Sequence, residues 1–106
     1  MVAKNKLSLE AQLNSGDAEK VAEALLYISY NINDVEWAEK QFMRMSSNHN
    51  DDIAGLALTC LGHIARVNGR ISKDIVIPFL EEKIKNSNKI ISSRAEDALD
   101  DIKMFT

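Results

Sequence analysis

A chain of 106 residues with a net charge of −3 and a sequence pI of about 5.3 is long enough for one modest core, and residues 1–106 are expected to form a single domain. With 45% hydrophobic and 27% charged residues it falls outside the disordered class, and four Gly and one Pro are too few turn residues for a many-stranded β sandwich or barrel. Its mild acidity makes it a poor candidate for nucleic acid, which requires a basic face, and a better one for a basic partner.

Apolar periodicity predicts helix almost throughout. Leu9 and Leu13 mark a short first helix closed by NSG at 14–16. Asp17 caps a second, with Val21, Ala24, Leu25 and Ile28 on its apolar stripe and its end near Tyr30. Asp34 caps a third carrying Val35, Ala38, Phe42 and Met45. After the polar break SSNHND, a long fourth helix starts near Asp52, carries Ile53, Ala57, Cys60, Leu61 and Ile64, and closes at Gly69. Ser72 opens a fifth, in which Pro78 predicts a kink or a late start. A sixth runs from about Ile90 to Met104.

The stripes repeat. Val21-Ala24-Leu25-Ile28, Ala57-Cys60-Leu61-Ile64 and Ala95-Ala98-Leu99-Ile102 share one spacing, at offsets of 36 and 38 residues. Each lies on the second helix of a helical pair. Small residues let a neighbouring helix approach, and the aliphatics fill the groove. A plain bundle can show the same spacing, but the nearly equal offsets favour stacked pairs. The expected fold is all-α, a short right-handed α-solenoid of about three helical hairpins.

Candidates for chemistry are few. Cys60 is the single cysteine, which rules out an internal disulfide and fits a reducing compartment; its apolar surroundings read as core. Cys60 and His63 are one turn apart, yet no glycine-rich oxyanion loop accompanies them. There is no phosphate-binding glycine loop and no zinc spacing, and Asp97, Asp100 and Asp101 would need oxygens from other elements to hold Mg²⁺ or Ca²⁺. No catalytic residue, cofactor or metal is expected. Trp37, the only tryptophan, reads as a flank residue packed between hairpins, with partner contact as the alternative. The basic spots KNK at 4–6 and KNSNK at 85–89 read as solvated ends. The stretch MVAKNKLSLEAQL lacks the apolar centre of a signal peptide, and no apolar run reaches the roughly 20 residues of a membrane span. The chain is expected to be cytoplasmic, without a membrane partner.

The outward faces of the second helices carry the functional expectation. At about 100° per residue, the positions opposite the stripes are Glu19, Glu23, Leu26 and Tyr30, with Tyr27 alongside. On the fourth helix they are Gly55, Thr59, Gly62 and Arg66, with His63 alongside. On the sixth they are Ser93, Asp97, Asp100 and Met104, with Asp101 alongside. If the pairs stack, these rows form one wall in which the glycines leave room for a close approach. Acid beside exposed Tyr and Met is the composition of a protein-binding surface for a basic partner. The competing reading is a solvated helix face whose tyrosines pack on a neighbour. Asp100 and Asp101 also lie toward a helix C-terminus, where an anion is disfavoured by roughly 0.3–1 kcal/mol.

NDDIAGLALTCLGHIARVNGRI (50–71) resembles a HEAT-type repeat: an acidic turn, an apolar residue, then A-x-x-x-L-G. With DIVIPFLEEKI and AEDALDDIKMF it also resembles small bacterial HEAT-like proteins that include immunity proteins of contact-dependent growth inhibition (CDI) systems, over roughly residues 35–105. The resemblance implies an inhibitor that binds and neutralises a toxin's C-terminal domain. The partner expected from it is a basic toxin domain, a nuclease, bound 1:1 by a monomer. A HEAT-like adaptor for another protein is the alternative, and a helical-repeat lyase or glycosylase is disfavoured by the charge balance.

Overall fold

The computed structural model describes residues 4–106; residues 1–3, the start of both the expected domain and the stretch scanned for a leader, lie outside the described residues. It contains six helices: α1 (Lys6–Leu13), α2 (Ala18–Asn31), α3 (Val35–Met45), α4 (Asp51–Asn68), α5 (Lys73–Ile84) and α6 (Lys89–Phe105). Among the described residues there is no strand, and no helix is long and apolar enough to cross a membrane.

Local chemistry sets the boundaries. Asp17 accepts from the amides of Glu19 and Lys20, and Asp34 from that of Trp37. Asn50 caps α4, which begins at Asp51, and Asn88 caps α6, each accepting two first-turn amides. Gly16 and Gly69 turn the chain with φ of 76° and 67°, a left-handed conformation that only glycine adopts freely. The late start considered for α5 does not occur: the helix begins at Lys73 and continues through Pro78. Ser72 makes no side-chain cap. In its place the buried carboxylate of Glu39 on α3 accepts the Ser72 amide at 2.8 Å.

Each odd helix packs on the even helix that follows it, and α4 lies between α2 and α6. The molecule measures 37 × 29 × 18 Å, and its least dimension is that of two helix layers at about 10 Å each. The two even-helix interfaces are parallel. From α2 to α4, the Cys60 thiol lies 3.8 Å from the Leu25 carbonyl, and Tyr30 meets His63. From α4 to α6, Gly55 faces Ile90 and Arg94, Gly62 faces Ala98 and Asp101, and Gly69 approaches Phe105. The three stripes read from the sequence therefore sit side by side and fill one core with Leu25, Ile28, Leu61, Ile64, Ala98 and Ile102. Burying each large aliphatic stabilises the fold by roughly 1.5–3 kcal/mol.

The glycines of α4 are a correction. Gly55 and Gly62 are buried against α6 and not presented to a partner, so the close approach they permit is helix on helix. Lys6 also departs from a solvated end: it pairs with Asp34 and lies over the Trp37 ring. Trp37 packs against the core and donates from Nε1 to Glu10 at 3.2 Å, bridging α1 and α3 as a flank residue.

Candidate interaction surface

Because α2, α4 and α6 are parallel neighbours, the sides they turn away from the core adjoin. Tyr30, His63 and Asp101 meet where the three faces adjoin, toward the C-terminal ends of the helices. The Tyr30 and His63 rings stand edge to face with centroids 4.5 Å apart. Asp101 reaches from α6 over Gly62 and lies close enough to His63 to act on its charge. Burial holds the His63 pKa below its ordinary value; the Arg66 guanidinium lowers it further and the Asp101 carboxylate opposes both. Its Nε2 is shielded without a hydrogen-bond partner. Arg66 and Thr59 are exposed on α4, Glu19 and Glu23 on α2, and Asp97 and Met104 on α6.

Two of the expected residues stand apart. Tyr27 is half-buried on the flank toward the N-terminal segment, where its hydroxyl accepts the Lys4 amide at 3.0 Å. It departs from the wall because it lies 130° from the centre of the buried α2 face on the side away from α4, by the 100° rule. Asp100 is exposed, but its helical position turns it from α4 toward the far flank of α6.

The wall's carboxylates form no close ion pairs. The ion pairs among the described residues are Lys6–Asp34, Arg70–Glu36 and Lys85–Glu82, so Glu19, Glu23, Asp97, Asp100 and Asp101 pair with no cation. Parallel packing also brings three helix C-termini, with their partial negative charge, to the end that carries Tyr30, Asp101 and Met104. Tyr30 is 70% and Met104 76% exposed at that end, beside exposed Val67 and Phe105. Aromatic and Met side chains ringed by polar groups mark protein contact sites.

Sequence reasoning missed Asp52, Leu56, Ile90 and Arg94, which line a groove between α4 and α6 together with Thr59. They lie on flanks, off the line opposite each stripe, and only the α4–α6 packing brings the flanks together. A cavity of about 330 Å³ between the α1–α2 and α3–α4 turns includes His49, but its Asn48 and Asn50 oxygens are engaged by the amides of their own turn. Cys60 is buried, and burial pushes its thiol up to about 12, so no thiolate is available to pair with His63 near neutral pH. No group of three potential metal ligands converges among the described residues.

No protein-family model and no curated protein matches the chain. Among solved structures, it superposes with a TM-score of 0.85 on a chain in the crystal structure of a CDI complex from Cupriavidus taiwanensis LMG 19424, at 32% sequence identity, covering 98% of this chain and 90% of that one. The chain belongs to that family, the CDI immunity-like proteins.

Proposed function

We propose that the chain is a CDI immunity protein that binds the C-terminal domain of a cognate toxin and neutralises it. The observation that carries this reading is its likeness, over nearly its whole length, to a chain of a CDI complex. The partner is a basic nuclease domain, an RNase, and the complex is 1:1 with a monomeric inhibitor in the cytoplasm. The α2–α4–α6 wall is the docking face: Glu19, Glu23, Asp97 and Asp101 supply negative potential, with Asp100 adding to it from the far flank of α6, while Tyr30, His63, Thr59, Arg66 and Met104 supply contact area. A nuclease site is basic because it holds RNA or DNA. Unpaired carboxylates speed its capture, and the bulk of the helices then covers it. The three hairpins act as one short right-handed solenoid of HEAT type, the single domain 1–106, with Tyr27 at the edge of the face. The parallel register of the even helices supports that arrangement.

The test is protection. A toxin C-terminal domain encoded beside this gene is induced in cells with and without the chain, and growth and RNA integrity are followed. Restored growth, intact RNA and a co-purifying 1:1 complex are expected. Unrelieved toxicity with no complex overturns the proposal.

A further inference from the structure

The wall holds a feature that negative potential does not use. Asp52, Leu56, Thr59, Ile90 and Arg94 line an open groove of about 400 Å³ between α4 and α6. Its floor depends on Gly55: a Cβ there would stand 2.9 Å from Ile90 Cγ2 and 3.3 Å from Arg94 Cγ. The missing side chain lets Ile90 and the Arg94 stem settle onto α4, yet Ile90 stays 40% exposed. The Arg94 guanidinium joins none of the ion pairs among the described residues. Charge along α6 also runs against its dipole. Lys89 and Arg94 occupy its first two turns, the first turn has no acid, and Asp97, Asp100 and Asp101 follow toward the C-terminus, where Lys103 in the last turn is the one cation that follows the dipole. Stability within the chain gives no reason for this order; a partner of opposite polarity does.

Building on the immunity reading, we infer that this groove is a second anchor for the toxin domain. It seats an apolar side chain against Leu56 and Ile90, next to a carboxylate that pairs with Arg94. Arg is suited to this because its planar fork grips a carboxylate through two parallel hydrogen bonds, and its stem adds apolar contact. Seven residues separate Arg94 from Asp101, about 10 Å along the helix. The partner therefore carries an acidic contact about 10 Å from its basic one. Two anchors of opposite sign on parallel helices admit one docking orientation, since reversal sets like charges together.

The test is calorimetric titration of the full chain with the toxin C-terminal domain encoded beside its gene. Arg94→Glu, and Thr59→Trp to fill the groove, are each expected to weaken binding by about tenfold or more, with Arg94→Lys in between. Both positions are exposed, so circular dichroism melts should match the wild type. Wild-type binding with both variants within twofold overturns the groove and leaves the immunity reading standing. Weakening by Thr59→Trp alone overturns the carboxylate contact. No binding by the wild type overturns the immunity reading and the groove together.

Discussion

The ring of Tyr30 stands on His63 with centroids 4.5 Å apart and planes inclined by 61°, joining α2 to α4 toward the C-terminal end of the wall. The Tyr30 side chain is otherwise 70% exposed. An edge-to-face pair contributes about 0.5–1.5 kcal/mol. Tyr30→Ala should therefore lower stability by about 1 kcal/mol in urea titration. If the wall docks a toxin domain, the same variant should weaken binding by about tenfold or more, as loss of an interface aromatic anchor does.

Asp97 and Asp101 join none of the ion pairs among the described residues. Replacing both with Asn should leave the melting temperature unchanged or slightly raised, because like charges repel. Association with the toxin domain should slow several-fold at low salt, with a smaller difference at high salt. Stopped-flow association across ionic strength makes the check. Unfolding of the double variant would mean that the carboxylates are structural.

His63 gives stability a pH dependence of known sign. The charged groups facing it are Arg66 on its own helix and Asp101 from α6, with Tyr30 covering it from α2. Its folded pKa lies below 6.5, so between that lower value and 6.5 the unfolded chain binds more protons than the folded one. Stability thus rises with pH through this window: the contribution is full above about 6.5 and is lost as pH falls through the folded value. His63→Gln removes the titrating group. Thermal melts from about pH 7.5 down to about pH 5 should show the wild type losing stability faster than the variant.

Gly62 and Gly55 should respond differently to alanine. A Cβ at Gly62 would meet the Ala98 Cα at 3.0 Å, backbone that cannot yield without moving α6, as well as Asp101 Oδ2 at 2.9 Å. Overpacking costs about 1–3 kcal/mol, against a helix-propensity gain of about 1 kcal/mol. Gly62→Ala should be net destabilising. Gly55→Ala would press on side-chain atoms of Ile90 and Arg94, which can shift without moving the α6 backbone, and should be less destabilising than Gly62→Ala. Urea midpoints for the two variants distinguish the cases.

Glu39, only 3% exposed, accepts the Ser72 amide where α5 lacks a side-chain cap. Glu39→Ala leaves that amide unpaired, at a cost of about 1–3 kcal/mol, and should loosen α5 first. Hydrogen exchange should show early loss of protection at residues 73–77, with Glu39→Gln partly retaining it because an acceptor oxygen remains.

Local chemistry is readable from a chain one window at a time. Asp17 and Asp34 announced two helix starts, Gly69 a helix end, and the repeated small-then-aliphatic stripes the faces that α2, α4 and α6 bury, because capping and amphipathicity act within a few residues. Kinship with CDI immunity proteins was legible in three stretches, 50–71, DIVIPFLEEKI and AEDALDDIKMF, because a motif is local in sequence. Packing decided what those windows could not contain. Gly55 and Gly62 lay outward by the 100° rule, yet the close α4–α6 contact buried them. Tyr27 turned to the Lys4 amide while Tyr30 turned to His63. Arg94 and Leu56, on flanks of helices far apart in sequence, came to line one groove. A helix's own period says which side is apolar; which neighbour covers its flanks is set by interhelical distance and register, and these exist only once the core has closed.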